Sequence, residues 1–110
     1  MHLNYYQALA ARTINPEHDK HRMLLHALHG LAAEVGEVHG LFQKMLQGHN
    51  LEDDHFKKEI GDCMWMIAEA CTACGFTLEE IARMNIDKLK ARYPDGFKAE
   101  NSLHRKEGDI

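Results

Sequence analysis

Proline, cysteine and long hydrophobic runs are all scarce in this chain of 110 residues. With only two prolines and a hydrophobic content of 45%, the composition is that of a folded globular domain and excludes a disordered chain. No stretch approaches the roughly 18 uninterrupted apolar residues of a membrane span. The first residues also lack the basic start and apolar run of a signal peptide. We therefore expect a cytoplasmic protein with no membrane partner.

Blocks of basic residues are absent as well, and the net charge is −4 with nine histidines counted as neutral. A protein that binds long nucleic acid normally presents clustered lysine and arginine to the phosphates. We therefore expect no long nucleic acid as a partner. A small phosphate ligand that arrives with a metal ion remains compatible with this charge.

The three cysteines, Cys63, Cys71 and Cys74, fall within one predicted helix. An odd number at such close spacing does not suit a disulfide framework. Cys71 and Cys74 form one Cys-x-x-Cys pair, the spacing of half a zinc site or of a redox motif, but no second pair exists and no strand precedes it. We expect reduced cysteines that pack as small hydrophobic residues.

No segment alternates between apolar and polar residues with the period of a strand, so the chain predicts an all-α helical bundle. A capping box of Thr77 and Glu80 opens the last main helix, which must stop before Pro94. The chain then divides into a domain over residues 1–97 and a polar, irregular C-terminal tail over residues 98–110. The apolar periodicity predicts about four helices: a short one over 4–13 with Asn4 as N-cap, a long one over 19–47, one over 53–74 ended by Gly75, and the one after Thr77.

Two acidic pairs with the same spacing lie in the two longest predicted helices: Glu34 with Glu37, and Glu59 with Asp62. Residues three apart share one helix face, and both pairs border an apolar stripe. Each carboxylate alone has the pattern of an ordinary surface charge. If the two helices pack together, however, four carboxylates converge and repel one another. The matched pairs therefore predict a site for a hard divalent cation, Mg²⁺ first, with Mn²⁺ as a substitute.

Glycines inside these helices add a second observation. Gly36 and Gly61 each lie within an acidic pair, and Gly40 follows shortly. Each glycine costs roughly 1 kcal/mol relative to alanine in a helix interior. Two explanations stay open: a neighbouring helix approaches closely, or a ligand needs the space.

A different metal site is less well supported by the sequence. Glu52 and His55 have the Glu-x-x-His spacing of di-iron bundles, but that site needs the motif twice. They also lie at a helix start, where acidic residues suit the helix dipole. The remaining histidines show no pair with a spacing specific to zinc.

The fourth helix places Asn85, Lys88 and Arg92 on one face. Beside a metal cluster, lysine and arginine would hold phosphate oxygens, with Lys44 and Lys58 joining from the other helices. The alternative is a solvated basic helix end that offsets the dipole.

These residues resemble those of the MazG-like all-α nucleoside triphosphate pyrophosphohydrolases. The resemblance runs in order through both acidic pairs to residues 85–89 and 92–97. It implies cleavage of a nucleoside triphosphate between the α and β phosphates, giving a monophosphate and pyrophosphate. It also implies Mg²⁺ held by Glu34, Glu37, Glu59 and Asp62. Glu37 and Glu59 are the catalytic candidates, with Glu37 expected to take a proton from the attacking water.

The resemblance also implies a substrate-binding set and an oligomer. The substrate contacts are expected from Asn85, Lys88 and Arg92, with Lys44 and Lys58 as weaker candidates. Trp65 either stacks on the base or packs in the core. A homodimer or homotetramer is expected, because the long second helix has more apolar surface than three short partners cover. Two alternatives stay open: a non-catalytic helical module that binds metal or nucleotide, and a phosphohydrolase with different bond selectivity.

Overall fold

The computed structural model describes residues 1–110 and confirms the all-α prediction. Five helices follow one another: α1 Leu3–Ala11, α2 Lys20–Leu46, α3 Asp53–Cys74, α4 Leu78–Arg92 and α5 Ala99–Leu103. None of them is both long and apolar enough to span a membrane.

Local capping explains where the main helices begin and end. The Asp19 side chain accepts a hydrogen bond from the backbone N–H of Arg22 at 2.8 Å and opens α2. Gly75 ends α3 with φ of 74°, a conformation that glycine adopts without a Cβ clash. The predicted capping box of Thr77 and Glu80 opens α4. The predicted N-cap of α1 is wrong, because His2 takes that position and the Asn4 side chain instead accepts from the N–H of Glu79.

Helices α2 and α3 form a long helical hairpin, which is the main packing unit of the chain. Ala27 of α2 and Met66 of α3 are both buried. A Cβ placed on Gly30 would collide with the Met66 side chain, so this glycine leaves the space that Met66 fills. At Gly36 and Gly61 an added Cβ would meet nothing within 4 Å. The same holds for Gly40, so close helix packing within the chain is the wrong explanation for these three glycines.

The second packing centre joins α1 and the start of α4 to the far end of α3. Ala68, Cys71 and Leu78 form a buried apolar cluster there. The Gln7 side chain donates to the carbonyl oxygen of Phe76 at 2.9 Å and accepts from the N–H of Leu78 at 2.8 Å. Of the cysteines only Cys71 is fully buried, whereas Cys63 is half-buried and Cys74 is exposed, so the expected core packing applies to Cys71 alone.

Most of the apolar surface is left uncovered within one chain. Only seven of 110 residues are buried, and the Cα radius of gyration is 17.1 Å, whereas a compact domain of this length has a radius of about 13 Å. Large side chains along the hairpin stay open to solvent, including Leu28 at 51% and Ile60 at 49% exposure. Met84 of α4 is 68% exposed. The fold of one chain therefore leaves apolar helix faces without a partner.

The C-terminal segment, residues 98–110, is more ordered than the irregular, loosely attached tail that the sequence predicts. It contains α5, and Asp109 returns to α4 to pair with Arg92. Such a pair lies 17 residues apart in the sequence and leaves no local signal.

Candidate functional site

Three of the four predicted metal ligands come together across the hairpin. Carboxylate oxygens of Glu34, Glu59 and Asp62 all lie within 4.8 Å of one another. All three side chains are half-buried, on facing surfaces of α2 and α3. Oxygen donors at this mutual distance suit a hard cation such as Mg²⁺ or Mn²⁺. We refer to these three residues as the acidic cluster.

The electrostatics of the acidic cluster favour a cation. The pKa of Glu34 is raised above its ordinary value, first by burial and then by the negative charges of Asp62, Glu59 and Glu37. The raised pKa means that the ionised form of Glu34 is destabilised by its surroundings. A divalent cation among these oxygens would remove that repulsion, so the residues present fit a metal ion.

Glu37 lies outside the acidic cluster. It is exposed, one helical turn beyond Glu34, although its charge still contributes to the raised pKa of Glu34. Its predicted roles as metal ligand and as base therefore stay predictions. An exposed carboxylate next to a metal site is able to accept a proton from water.

His55 contacts the acidic cluster from one turn earlier on α3. Its Nε2 lies 3.2 Å from Oε1 of Glu59, so the ring N–H is placed to donate to that carboxylate. His55 also lines a small cavity of about 190 Å³ together with Lys44 and Glu52. Lys44 and His55 thus share this cavity, which no residue of the acidic cluster lines. Lys58 is exposed on α3.

Tyr6 is a neighbour of the acidic cluster that the sequence analysis missed. Burial raises the pKa of its hydroxyl, and the charge of Asp62 raises it further. Tyr6 also packs against the apolar cluster of Ala68, Cys71 and Leu78. In the sequence nothing separates it from Tyr5, since both lie in a short helix far along the chain from the acidic pairs.

Trp65 has a definite packing partner. Its indole Nε1 donates to the hydroxyl oxygen of Thr13 at 2.8 Å. The bond ties the residues after α1 to the middle of α3. This contact agrees with the packing alternative for Trp65, while its proposed contact with a base stays a prediction.

The basic face of α4 lies apart from the acidic cluster in one chain. Asn85, Lys88 and Arg92 line a cavity of about 740 Å³ between α4 and the C-terminal segment. No residue of the acidic cluster lines this cavity. The structure thus brings three of the four predicted metal ligands together at one place. It brings three predicted phosphate ligands, Asn85, Lys88 and Arg92, together at another.

A buried carboxylate on the same hairpin has a histidine partner that was not predicted. Glu69 is only 3% exposed, and both of its oxygens lie within 2.9 Å of Nδ1 of His26. Since His26 is half exposed, the pair links the core to the surface. Glu69 belongs to neither predicted ligand set. It interrupts the apolar stripe of α3, and nothing in the sequence indicates that it is buried.

Comparison with known proteins adds a family match. A family model described as the MazG nucleotide pyrophosphohydrolase domain matches residues 22–97. The chain is also similar to the Gene 37 protein of Mycobacterium phage L5, at 29% identity over 105 residues, covering 87% of this chain and 92% of the phage protein. No solved structure matches.

Proposed function

Because the chain belongs to the MazG nucleotide pyrophosphohydrolase family, we propose that it is a Mg²⁺-dependent nucleoside triphosphate pyrophosphohydrolase. It would cleave the triphosphate between the α and β phosphates and release a nucleoside monophosphate and pyrophosphate. The observation that carries this proposal is the acidic cluster of Glu34, Glu59 and Asp62. The matched region contains all three residues.

The four carboxylates share two roles in this proposal, metal binding and proton transfer. Glu34, Glu59 and Asp62 hold the metal ion, with Glu37 completing the set from one turn further along α2. A bound Mg²⁺ supplies positive charge against the phosphate oxygens of the substrate. Glu37 is open to solvent and accepts the proton of the attacking water. His55 donates to Glu59 and so holds that carboxylate in place.

The phosphates of the substrate are bound by cationic and amide side chains. Arg92 offers a planar fork of N–H donors and Lys88 a mobile ammonium group, with Asn85 beside them. Lys44 approaches from the end of α2, and Lys58 from α3. In this proposal Trp65 supports the fold of the site and would stack on the base.

A second copy of the chain completes the assembly. We propose a homodimer or homotetramer, in which the uncovered apolar faces of α2, α3 and α4 pack between copies. The low number of buried residues and the radius of gyration of 17.1 Å support this arrangement. A partner copy also offers a way to bring an α4 face to the acidic cluster. Such an enzyme acts on small nucleotides, and we place it in the cytoplasm.

Product analysis tests the proposal. The protein is incubated with Mg²⁺ and a panel of canonical and modified nucleoside triphosphates, and the products are separated by ion-exchange chromatography. A monophosphate and pyrophosphate in equal amounts support the proposed reaction. Orthophosphate with a diphosphate indicates a phosphohydrolase of different bond selectivity. No turnover across the panel indicates a non-catalytic binding module, and either of the last two results contradicts the proposal.

A further inference from the structure

The C-terminal segment closes over α4 through one two-pronged contact. Oδ2 of Asp109 accepts from Nε of Arg92 at 2.8 Å, and Oδ1 accepts from Nη2 at 2.7 Å. The two side chains are only 10% and 15% exposed, although most residues around them are open to solvent. A turn between Lys106 and Asp109, with Gly108 at φ of 86°, directs the carboxylate toward α4. The contact is therefore formed by a specific backbone bend.

The cavity beside this contact is lined by three positive and two negative side chains. Lys88, Arg92 and Lys106 line it, against the two carboxylates of Glu107 and Asp109. The pKa of Asp109 is lowered chiefly by its hydrogen bond with Arg92, and the charges of Arg92, Arg105 and Lys88 lower it further. Several cations thus face one carboxylate. If Asp109 withdrew, the cavity lining would hold three cations against one carboxylate.

The chemistry of the contact suggests what else would bind there. An arginine fork binds a carboxylate and a phosphate in the same two-pronged manner. Asp109 carries one negative charge, whereas a pyrophosphate group carries more and offers more acceptor oxygens to the surrounding cations. The cavity also has apolar walls at Ile81 and Met84, and its volume of about 740 Å³ is within the range of small-molecule sites.

We propose that the C-terminal segment competes with a phosphate ligand for Arg92. Asp109 pairs with Arg92 in the free protein. A pyrophosphate group, either free or within a nucleotide, takes its place when it binds. The identity of this ligand rests on the proposed function. Binding displaces the Asp109 carboxylate from Arg92, while the other lining residues of the cavity stay in place. The segment therefore sets the affinity of the protein for its phosphate ligand.

The test compares Asp109→Asn with a matched control in the same segment. Glu100→Gln removes the same charge from α5, where the side chain has no partner and does not line the cavity. Binding of inorganic pyrophosphate is measured by calorimetry in the presence of EDTA, so that neither metal nor turnover contributes. If Asp109 closes the site in about nine molecules of ten, Asp109→Asn binds pyrophosphate about tenfold more tightly. Glu100→Gln binds as the unaltered protein does.

Further variants separate competition from a structural role. Asp109→Ser should reproduce the gain, and adding Arg92→Gln to Asp109→Asn should abolish it. If Asp109→Asn and Asp109→Ser bind pyrophosphate no more tightly than the unaltered protein, the ion pair only fastens the segment and the proposal is wrong. The same applies if the gain persists without Arg92.

The steady-state KM for a nucleoside triphosphate distinguishes this proposal from the proposed function. A fall in KM for Asp109→Asn extends the competition to the substrate. If the protein hydrolyses no nucleotide but Asp109→Asn binds pyrophosphate more tightly, the proposed reaction is wrong and the competition by Asp109 is supported. An active enzyme whose pyrophosphate affinity does not change on substitution of Asp109 contradicts only the competition by Asp109.

Discussion

Replacing Glu34 by glutamine should stabilise the metal-free protein and remove its response to Mg²⁺. Coulomb's law in water gives about 0.9 kcal/mol of repulsion for two unit charges at 4.8 Å, the upper limit of the distances in the acidic cluster. Glutamine at position 34 abolishes two of the three pairs, which amounts to about 2 kcal/mol without added salt. Screening at physiological ionic strength, with a Debye length of about 8 Å, reduces the gain to about 1 kcal/mol.

Urea denaturation followed by circular dichroism measures this effect, in EDTA and in excess Mg²⁺. In EDTA, Glu34→Gln should raise the free energy of unfolding. At a Mg²⁺ concentration about ten times Kd, the unaltered protein should gain about 1.4 kcal/mol, whereas the variant gains little. Glu17→Gln, an exposed position before α2, serves as the control and should change neither value. A variant that is no more stable in EDTA and still responds fully to Mg²⁺ would refute the reasoning.

The effect of Glu34→Gln on stability should also depend on pH. Because the pKa of Glu34 is raised above the ordinary 4.5, the folded chain binds this proton more tightly than the unfolded chain. The resulting stabilisation is complete below the unfolded pKa and is lost as pH rises through the raised folded pKa. The advantage of Glu34→Gln in EDTA should therefore be largest at neutral pH and should vanish in acid. If the gain in the free energy of unfolding did not depend on pH, it would come from packing and not from removal of the charge.

Four further substitutions test the packing of the hairpin and its assembly. Gly30→Ala should destabilise the fold by about 1 kcal/mol, because overpacking against the Met66 side chain outweighs the gain in helix propensity. Gly36→Ala should stabilise the fold by about 1 kcal/mol, because its new Cβ meets nothing. Thermal melts measure both changes. His26→Ala leaves the buried Glu69 without a partner and should cost about 2 kcal/mol in urea denaturation. Leu28→Glu places a charge on an uncovered apolar face and should shift the oligomer toward monomer in sedimentation velocity.

Matched controls accompany these variants. His29→Ala removes an exposed histidine one turn from His26 and should leave stability unchanged. Gln43→Glu adds the same charge to α2 at an exposed polar position and should leave the oligomer intact. Equal effects of Gly30→Ala and Gly36→Ala would contradict the assigned helix contact. A monomeric unaltered protein would contradict the assembly.

Local signals in the sequence account for the helices. The bounds of α2 and α3 follow from apolar periodicity together with the capping residues Asp19 and Gly75, which act within one turn of their own position. The acidic cluster was also predictable, because residues three apart share a helix face whatever the rest of the chain does. The position of Glu37 outside the acidic cluster was not predictable, since it depends on the rotation of α2 against α3.

Contacts between distant parts of the chain account for what the sequence did not reveal. Nothing local distinguishes Gly30, which faces Met66, from the glycines that face open space. The pairing of Asp109 with Arg92 depends on how the C-terminal segment folds back, and the raised pKa of Tyr6 depends on where α1 packs. These features follow from tertiary packing alone.

If the acidic cluster supports hydrolysis between the α and β phosphates, loss of one of its carboxylates should abolish turnover. Phosphorus-31 NMR of a nucleoside triphosphate incubated with Mg²⁺ tests it, with the unaltered protein and Glu59→Gln compared at equal helix content by circular dichroism. We predict monophosphate and pyrophosphate signals with the unaltered protein, and unchanged triphosphate with Glu59→Gln. Orthophosphate as the primary product, or equal rates for the two proteins, would contradict the account.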